Sequence, residues 1–397
     1  MLDTRADSRD DTSPTRRARA RGSANTMRRR VDNAELSESL LGEETPQPPP
    51  PTRQKSLQPW VSEAVGSAVT SLCIVIINLA SSLVVFHPGY VYGAALSEGV
   101  IFFLLSNALA SAVMLLRSPL PLVLAIDGFF AALFSNMAAD IAAKRPAGEL
   151  GTLAVAMALT KFLIGGSEWL LGRLAVGKAV QFMPAPVMSG FLASIGFVQL
   201  DSCCKMVTGC ALTTPSCYAG SPAVPQLILA YLYGVILFAI QTQVTGLRAS
   251  AVLPLALIGG MVLYHTAHAA LPSPLLDDWT LQLPDASITT AFTSLYSQPI
   301  SWQLALPAAL TTTMTAALPN AVGRLLSFLA LESVLDAEVD LNEQMRHVGF
   351  SNLLSSPLLI VNCPSIAGVV TARRMGSYSK LSSVVVASSS VALAVIS

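Results

Sequence analysis

From Val61 onward the chain is a succession of apolar runs, most of them about as long as a membrane span, joined by short polar links. Runs of that length, repeated that often, cannot all be buried in one soluble core. Candidate spans lie at about 61–86, 92–116, 122–143, 150–171, 180–200, 226–240 and 252–270. A longer stretch at about 302–336 follows, and its last two-thirds should form the helix that carries Glu332. Further candidates are 348–361, a short helix from Ser365, and a last run at 381–396. The reading is an all-α polytopic membrane protein with about ten to eleven spans. Pro184, Pro186 and Gly190 predict a broken or half-exposed fifth span.

Charge is scarce, at 12% of residues, and unevenly placed. Residues 1–56 hold 20 of the 48 Lys, Arg, Asp and Glu side chains and end in a run of prolines. Such a segment cannot bury a core and reads as a disordered, basic cytoplasmic tail preceding the membrane body at 57–397. Its arginines are taken as membrane-flanking residues, so nucleic acid is not an expected partner. With the tail inside, Arg117, Arg173, Lys178, Arg248, Arg346, Arg373, Arg374 and Lys380 also fall inside, against Lys144, Arg145 and Lys205 outside. That balance supports a cytoplasmic N-terminus. It puts Cys210 and Cys217 in an outer or lumenal loop, where their spacing permits a disulfide. The six cysteines show no paired metal spacing. There is no phosphate-binding GxxxxGK[ST], no HExxH and no clustered histidine, so no enzyme signature competes and no cofactor is expected.

Three features carry chemistry. Glu332 and Asp336 are four residues apart and share one helix face after a long apolar run. A carboxylate at membrane depth costs about 3 kcal/mol if unpaired, so Glu332 is the candidate that holds a proton or a cation, with Asp336 nearer the interface. Arg324, two turns earlier, is expected to pair with an outer-side group or to snorkel. Second, Asn362-Cys363-Pro364-Ser365 is a helix-start signature inside an apolar region. A helix that begins at membrane depth exposes backbone N–H groups, which suit an anion. Third, Asp127-Gly128 interrupts span three. Two broken spans facing each other would bring two helix N-termini to one site. Asp127 would then either cap its helix or bind a coupling cation.

These segments resemble the membrane domain of the SulP (sulfate permease) anion transporters, solute carrier family twenty-six. The match runs from about Ser82 onward. It is carried by residues 121–143, 331–354 and 372–383, and most specifically by VQFMPAPVMSGFLASIGFVQL at 180–200. The pattern is most similar to the branch often fused to a STAS domain and a cyclic-nucleotide-binding module. The resemblance implies an inverted-repeat transporter of seven plus seven spans with half-helices three and ten. The first repeat would cover about 61–270, and a partial second repeat about 302–397. It places substrate at Asp127, Gly128, Ser365, Ile366, Ala367 and Gly368, and proton or cation coupling at Glu332 and Asp336. It departs from the family pattern where Ala367, Gly368 and Val369 replace polar residues, and where the third-span proline is missing. The chain also stops at Ser397, ahead of the expected last spans. That leaves open a fragment, an incomplete gene model or a protein without turnover.

The leading expectation is a secondary transporter of an inorganic or small organic anion such as sulfate or bicarbonate, coupled to H+ or Na+. The alternatives are a non-transporting membrane scaffold or sensor of the same fold and a transporter of a cationic amino acid. Expected partners are the lipid bilayer, the anion and a second copy of the chain as a homodimer. The expected location is the plasma membrane or a vacuolar or other endomembrane.

Overall fold

The computed structural model describes residues 59–87, 90–145, 149–177, 184–208, 210–218, 224–244, 247–270 and 287–396. The tail at 1–56 and the acids Asp277, Asp278 and Asp285 lie outside the described residues.

In chain order the helices begin with α1 (Pro59–Val85) and α2 (Leu96–Arg117). A three-residue strand β1 (Leu124–Ile126) leads into α3 (Gly128–Lys144), followed by α4 (Leu150–Arg173). Next come α5 (Ala185–Thr208), the single turn α6 (Pro215–Tyr218), α7 (Val224–Gln243) and α8 (Leu247–Ala270). The last third holds α9 (Ile288–Tyr296), α10 (Trp302–Leu335) and α11 (Leu341–Leu354). It closes with strand β2 (Asn362–Pro364), α12 (Ile366–Arg374) and α13 (Leu381–Ile396). Among the described residues, five helices are long and apolar enough to cross a membrane, in α1, α2, α4, α7 and α10.

The structure refines several local expectations. The fifth span, expected to be broken or half-exposed, is one unbroken helix, α5, reaching Thr208, and most of its described side chains are exposed or half-buried. Pro184 precedes it and Pro186 sits in its first turn, where no intrahelical N–H is lost. The expected span at 348–361 is instead α11, started earlier by Asp340, whose side chain accepts from the N–H groups of Asn342 and Glu343. It stops at Leu354, and the chain continues through a 3-10 turn at Ser356–Leu358 into β2. The stretch before Glu332 is helical throughout, because α10 runs 34 residues with Pro307 and Pro319 inside it. At 1.5 Å per residue it is on the order of 50 Å long, well beyond the hydrocarbon thickness. Between α8 and α10 the described residues include α9, whose Ser287 and Thr290 cap each other reciprocally.

The pairing of β1 with β2 joins segments far apart in the chain. The strands are antiparallel, with Leu124 opposite Pro364 and Ile126 opposite Asn362. Asp127 N–H donates to the Val361 carbonyl (3.0 Å) and Ser365 N–H donates to the Val123 carbonyl (2.8 Å), so each end of the ladder repeats the other. Each strand runs straight into a helix with a side-chain cap. Asp127 accepts from Phe129 N–H at the start of α3, and Ser365 accepts from Gly368 N–H at the start of α12. The two units are therefore related as inverted copies. α3 is the half-helix expected in span three and α12 that expected in span ten.

Close backbone packing braces this centre. A methyl group at Gly349 of α11 would lie 2.3 Å from Trp169 N and 2.7 Å from the Gly165 carbonyl of α4. Small residues at such a crossing let two membrane helices approach closely. Hydroxyl contacts fasten α1 to α13, with Ser67 Oγ at 3.2 Å from Ser382 and Ser71 Oγ at 2.5 Å from Ser389. Buried aromatic side chains of α2 and α3, among them Phe102, Phe103, Phe130 and Phe134, share one core cluster with Ile126 of β1. Leu325, Phe328 and Leu331 of α10, with Met345 and Val348 of α11, share a second with Leu124 and Ala125.

Candidate functional site

The start of α3 carries a buried charge cluster. Arg324, 3% exposed, reaches across from α10, and its Nη2 lies 3.2 Å from Asp127 Oδ2. Its Nε donates to Glu168 Oε1 of α4 at 2.9 Å, and Glu168 is fully buried. A further N–H of Arg324 donates to the Asn362 carbonyl at 3.0 Å, so the guanidinium also holds β2. Arg324 therefore neither snorkels nor pairs at the outer surface. It joins α3, α4, α10 and β2 at one point, the forked multidentate role that suits arginine.

Glu168 is anchored on both oxygens. Asn320 Nδ2 donates to Oε1 at 2.8 Å and Asn352 Nδ2 donates to Oε2 at 2.9 Å. Asn352 is itself fixed, because its Oδ1 accepts from Asn362 N–H at 3.0 Å. The polar chain continues through Asn362 Nδ2 to Ser106 Oγ (2.8 Å), which also accepts from Lys161 Nζ at 2.7 Å. Lys161 is fully buried and makes no ion pair among the described residues. Two carboxylates and two basic side chains thus lie close to the crossing strands.

The substrate residues expected from the sequence are divided between the two ends of the ladder. Asp127 and Gly128 stand at one end, and a methyl group at Gly128 would meet the Gln199 side-chain amide of α5 at 2.6 Å. Ser365, Ile366, Ala367 and Gly368 stand at the other, where Ser365 and Gly368 are buried and Ala367 is exposed. With three paired residues between them, the helix starts are separated by on the order of 10 Å. The caps take Phe129 N–H and Gly368 N–H. The other N–H groups of each first turn, at Gly128 and Phe130 and at Ile366 and Ala367, have no acceptor within their own helix.

Arg324 stands at the α3 end of the ladder, against Asp127 and the Asn362 carbonyl. Glu332 lies eight residues further along α10, about 12 Å by helical rise, and is half-buried. Asp336 is the exposed C-cap of α10, in left-handed conformation at φ 50°. It lines an open cleft of about 750 Å³ with Arg373, Arg374 and Tyr378, at the opposite end of α12 from Ser365. Cys210 and Cys217 are disulfide-bonded, with α-carbons 5.9 Å apart.

Lys161 and Glu168 are the charged residues that the sequence reading passed over. Both interrupt the apolar run of span four seven residues apart, on one helix face. The reasoning that singled out Glu332 applies to them with more force. Asn320 and Asn352 carry no such signal, since a lone amide in an apolar stretch is also a common helix–helix contact, and Asn362 enters only as part of the helix-start signature.

A family model described as the sulfate permease family matches residues 97–396. No curated protein matches the sequence. Among solved structures, the transmembrane domain of the cyanobacterium bicarbonate transporter BicA is similar at TM-score 0.57 and 17% identity, covering 85% of this chain and 82% of that one. SLC26A9 is similar at TM-score 0.54 and 14% identity, over 85% of this chain and 54% of that one. The murine Solute Carrier 26 family member A9 anion transporter, in its inward-facing state, is similar at TM-score 0.53 and 13% identity, over 91% and 63% respectively. The match thus spans little more than half of the Solute Carrier 26 chains. At these identities the likeness concerns the fold, which is the inverted-repeat transporter fold of these membrane domains.

Proposed function

The chain belongs to the sulfate permease family, and on that premise we propose that it is a secondary transporter of an inorganic or small organic anion, working by alternating access. One observation carries this reading. Two half-helices start on a shared two-stranded ladder, each with first-turn N–H groups that have no acceptor within their own helix, and Arg324 lies against one of the two starts. Helix N-termini and a guanidinium favour negative charge without a resident metal. The anion would sit between the two starts, near Gly128 and Phe130 on one side and Ile366 and Ala367 on the other. Sulfate and bicarbonate are the first candidates, the latter being what the similar BicA protein carries. Coupling to H+ or Na+ would run through a carboxylate. Asp127 and Glu168 are better sited for that than Glu332 or Asp336, which lie two and three turns along α10. The disulfide between Cys210 and Cys217 supports an outer or lumenal position for its loop and a cytoplasmic N-terminus.

A second reading is a non-transporting scaffold of the same fold. It rests on the saturation of Arg324, whose partners are two carboxylates and a carbonyl. A cationic amino acid fits less well, because the Arg324 guanidinium and the helix N-termini would repel it. The test is uptake of radiolabelled sulfate, bicarbonate, nitrate and chloride into proteoliposomes under imposed proton and sodium gradients. The transporter reading expects one of these anions to accumulate, and Arg324→Gln to reduce the rate at least about tenfold. Absence of uptake for all four under either gradient favours the scaffold.

A further inference from the structure

We propose that the Asp127 carboxylate is a built-in competitor for the transported anion, occupying the anion's place at Arg324 until a proton releases it. This rests on the anion-transport reading and adds the identity of the group that the substrate must displace.

The two carboxylates on Arg324 are held very differently. Glu168 is fully buried and accepts from Arg324, Asn320 and Asn352 at 2.8–2.9 Å. It cannot leave without orphaning three buried donors. Asp127 has the longer contact with Arg324, at 3.2 Å, and otherwise accepts from one backbone N–H. Its side chain is 19% exposed, against 3% for Arg324 and none for Glu168. Asp127 is therefore the exchangeable partner and the side of the cluster open to an incoming solute. It also stands at the positive end of α3, where an anion would be attracted.

The surroundings of Asp127 contribute few other charges. α10 presents Arg324 and α4 presents Glu168. Beside them α5 offers the neutral Gln199, α1 the neutral Asn78, which accepts from Ile126 N–H, and β2 the Val361 carbonyl that accepts Asp127 N–H. An ionised Asp127 beside a bound anion would place two negative charges on one guanidinium already shared with Glu168. Protonation removes that conflict and turns the side chain from acceptor to donor. The exchange balances. One proton adds to the carboxylate, one anion takes its place at Arg324, and both leave together when the site opens to the other side. A monovalent anion would then cross without net charge, and sulfate with one net negative charge per proton.

The test is calorimetric binding of sulfate, nitrate and chloride to the purified full chain in lipid nanodiscs at about pH 4 and about pH 8, a range in which none of the three probes changes charge and which begins near the midpoint of an ordinary aspartate at about 3.9. Wild type is compared with Asp127→Asn and Asp127→Ser, both of which keep a helix cap. The expected result is that wild type binds at least one probe about tenfold or more tightly at the acid pH. Both variants should bind that probe at both pH values with the wild-type acid affinity. Variants that keep the wild-type pH dependence, or that bind more weakly than wild type at acid pH, overturn the proposal. Wild-type binding without pH dependence also overturns it, while leaving the anion-transport reading standing. Failure of every protein to bind any of these probes, or bicarbonate at about pH 8, removes both.

Discussion

Replacing Glu168 by Gln changes one atom in size and shape but reverses the hydrogen-bond logic of the cluster. One amide oxygen can still accept from Arg324 and Asn320. The new amide nitrogen must then face Asn352 Nδ2, itself a donor, across the 2.9 Å now spanned by a hydrogen bond. Asn352 cannot turn over to relieve this, because its Oδ1 holds Asn362 N–H at 3.0 Å. The cost of two opposed buried donors is about 1–3 kcal/mol. Arg324 also loses one of its two buried counter-charges, which costs about 3–5 kcal/mol when no other remains. Asp127 does remain, so a total of about 3–4 kcal/mol is reasonable. The assay is thermal unfolding of the detergent-solubilised protein, with an expected fall in midpoint on the order of 5 °C. Adding Asn352→Asp restores an acceptor opposite the new amide and should recover part of the loss. A Glu168→Gln protein within about 0.5 kcal/mol of wild type, the range of an ordinary surface substitution, would refute this account of the cluster.

Two further perturbations follow from the same geometry. Gly349→Ala pushes a methyl group into the backbone of α4 at 2.3 Å, so α4 and α11 must separate; destabilisation of about 1–3 kcal/mol is expected in the same unfolding assay, and a Gly349→Ala protein as stable as wild type would contradict it. Ser106→Ala removes the acceptor for both Lys161 and Asn362; it should cost about 2–3 kcal/mol, with Ser106→Thr milder because the hydroxyl survives.

The helix-start signatures were legible because capping chemistry is local. Asp127-Gly128 and Pro364-Ser365 announce themselves within a few residues, and the structure starts α3 and α12 there. The strand pairing that joins them was not legible. Three-residue strands have no usable periodicity, and their partners lie some 240 residues apart. The same limit applies to Arg324. Its sequence neighbours are apolar, and only the folded arrangement brings Asp127, Glu168 and Asn362 to it. Glu332 drew attention because it follows a long apolar run, yet the helix continues unbroken past it and ends at Asp336. Depth in the membrane depends on where a helix begins and ends.

The most direct test of the central claim is to locate a heavy anion in the protein. Selenate has the shape and charge of sulfate, and crystals soaked with it at acid pH would reveal its position by anomalous scattering. The account predicts a peak between the starts of α3 and α12, within hydrogen-bond reach of Arg324 and of first-turn N–H groups at Gly128 or Ile366. A peak confined to the cleft of Arg373 and Arg374, with none at the ladder, would contradict it.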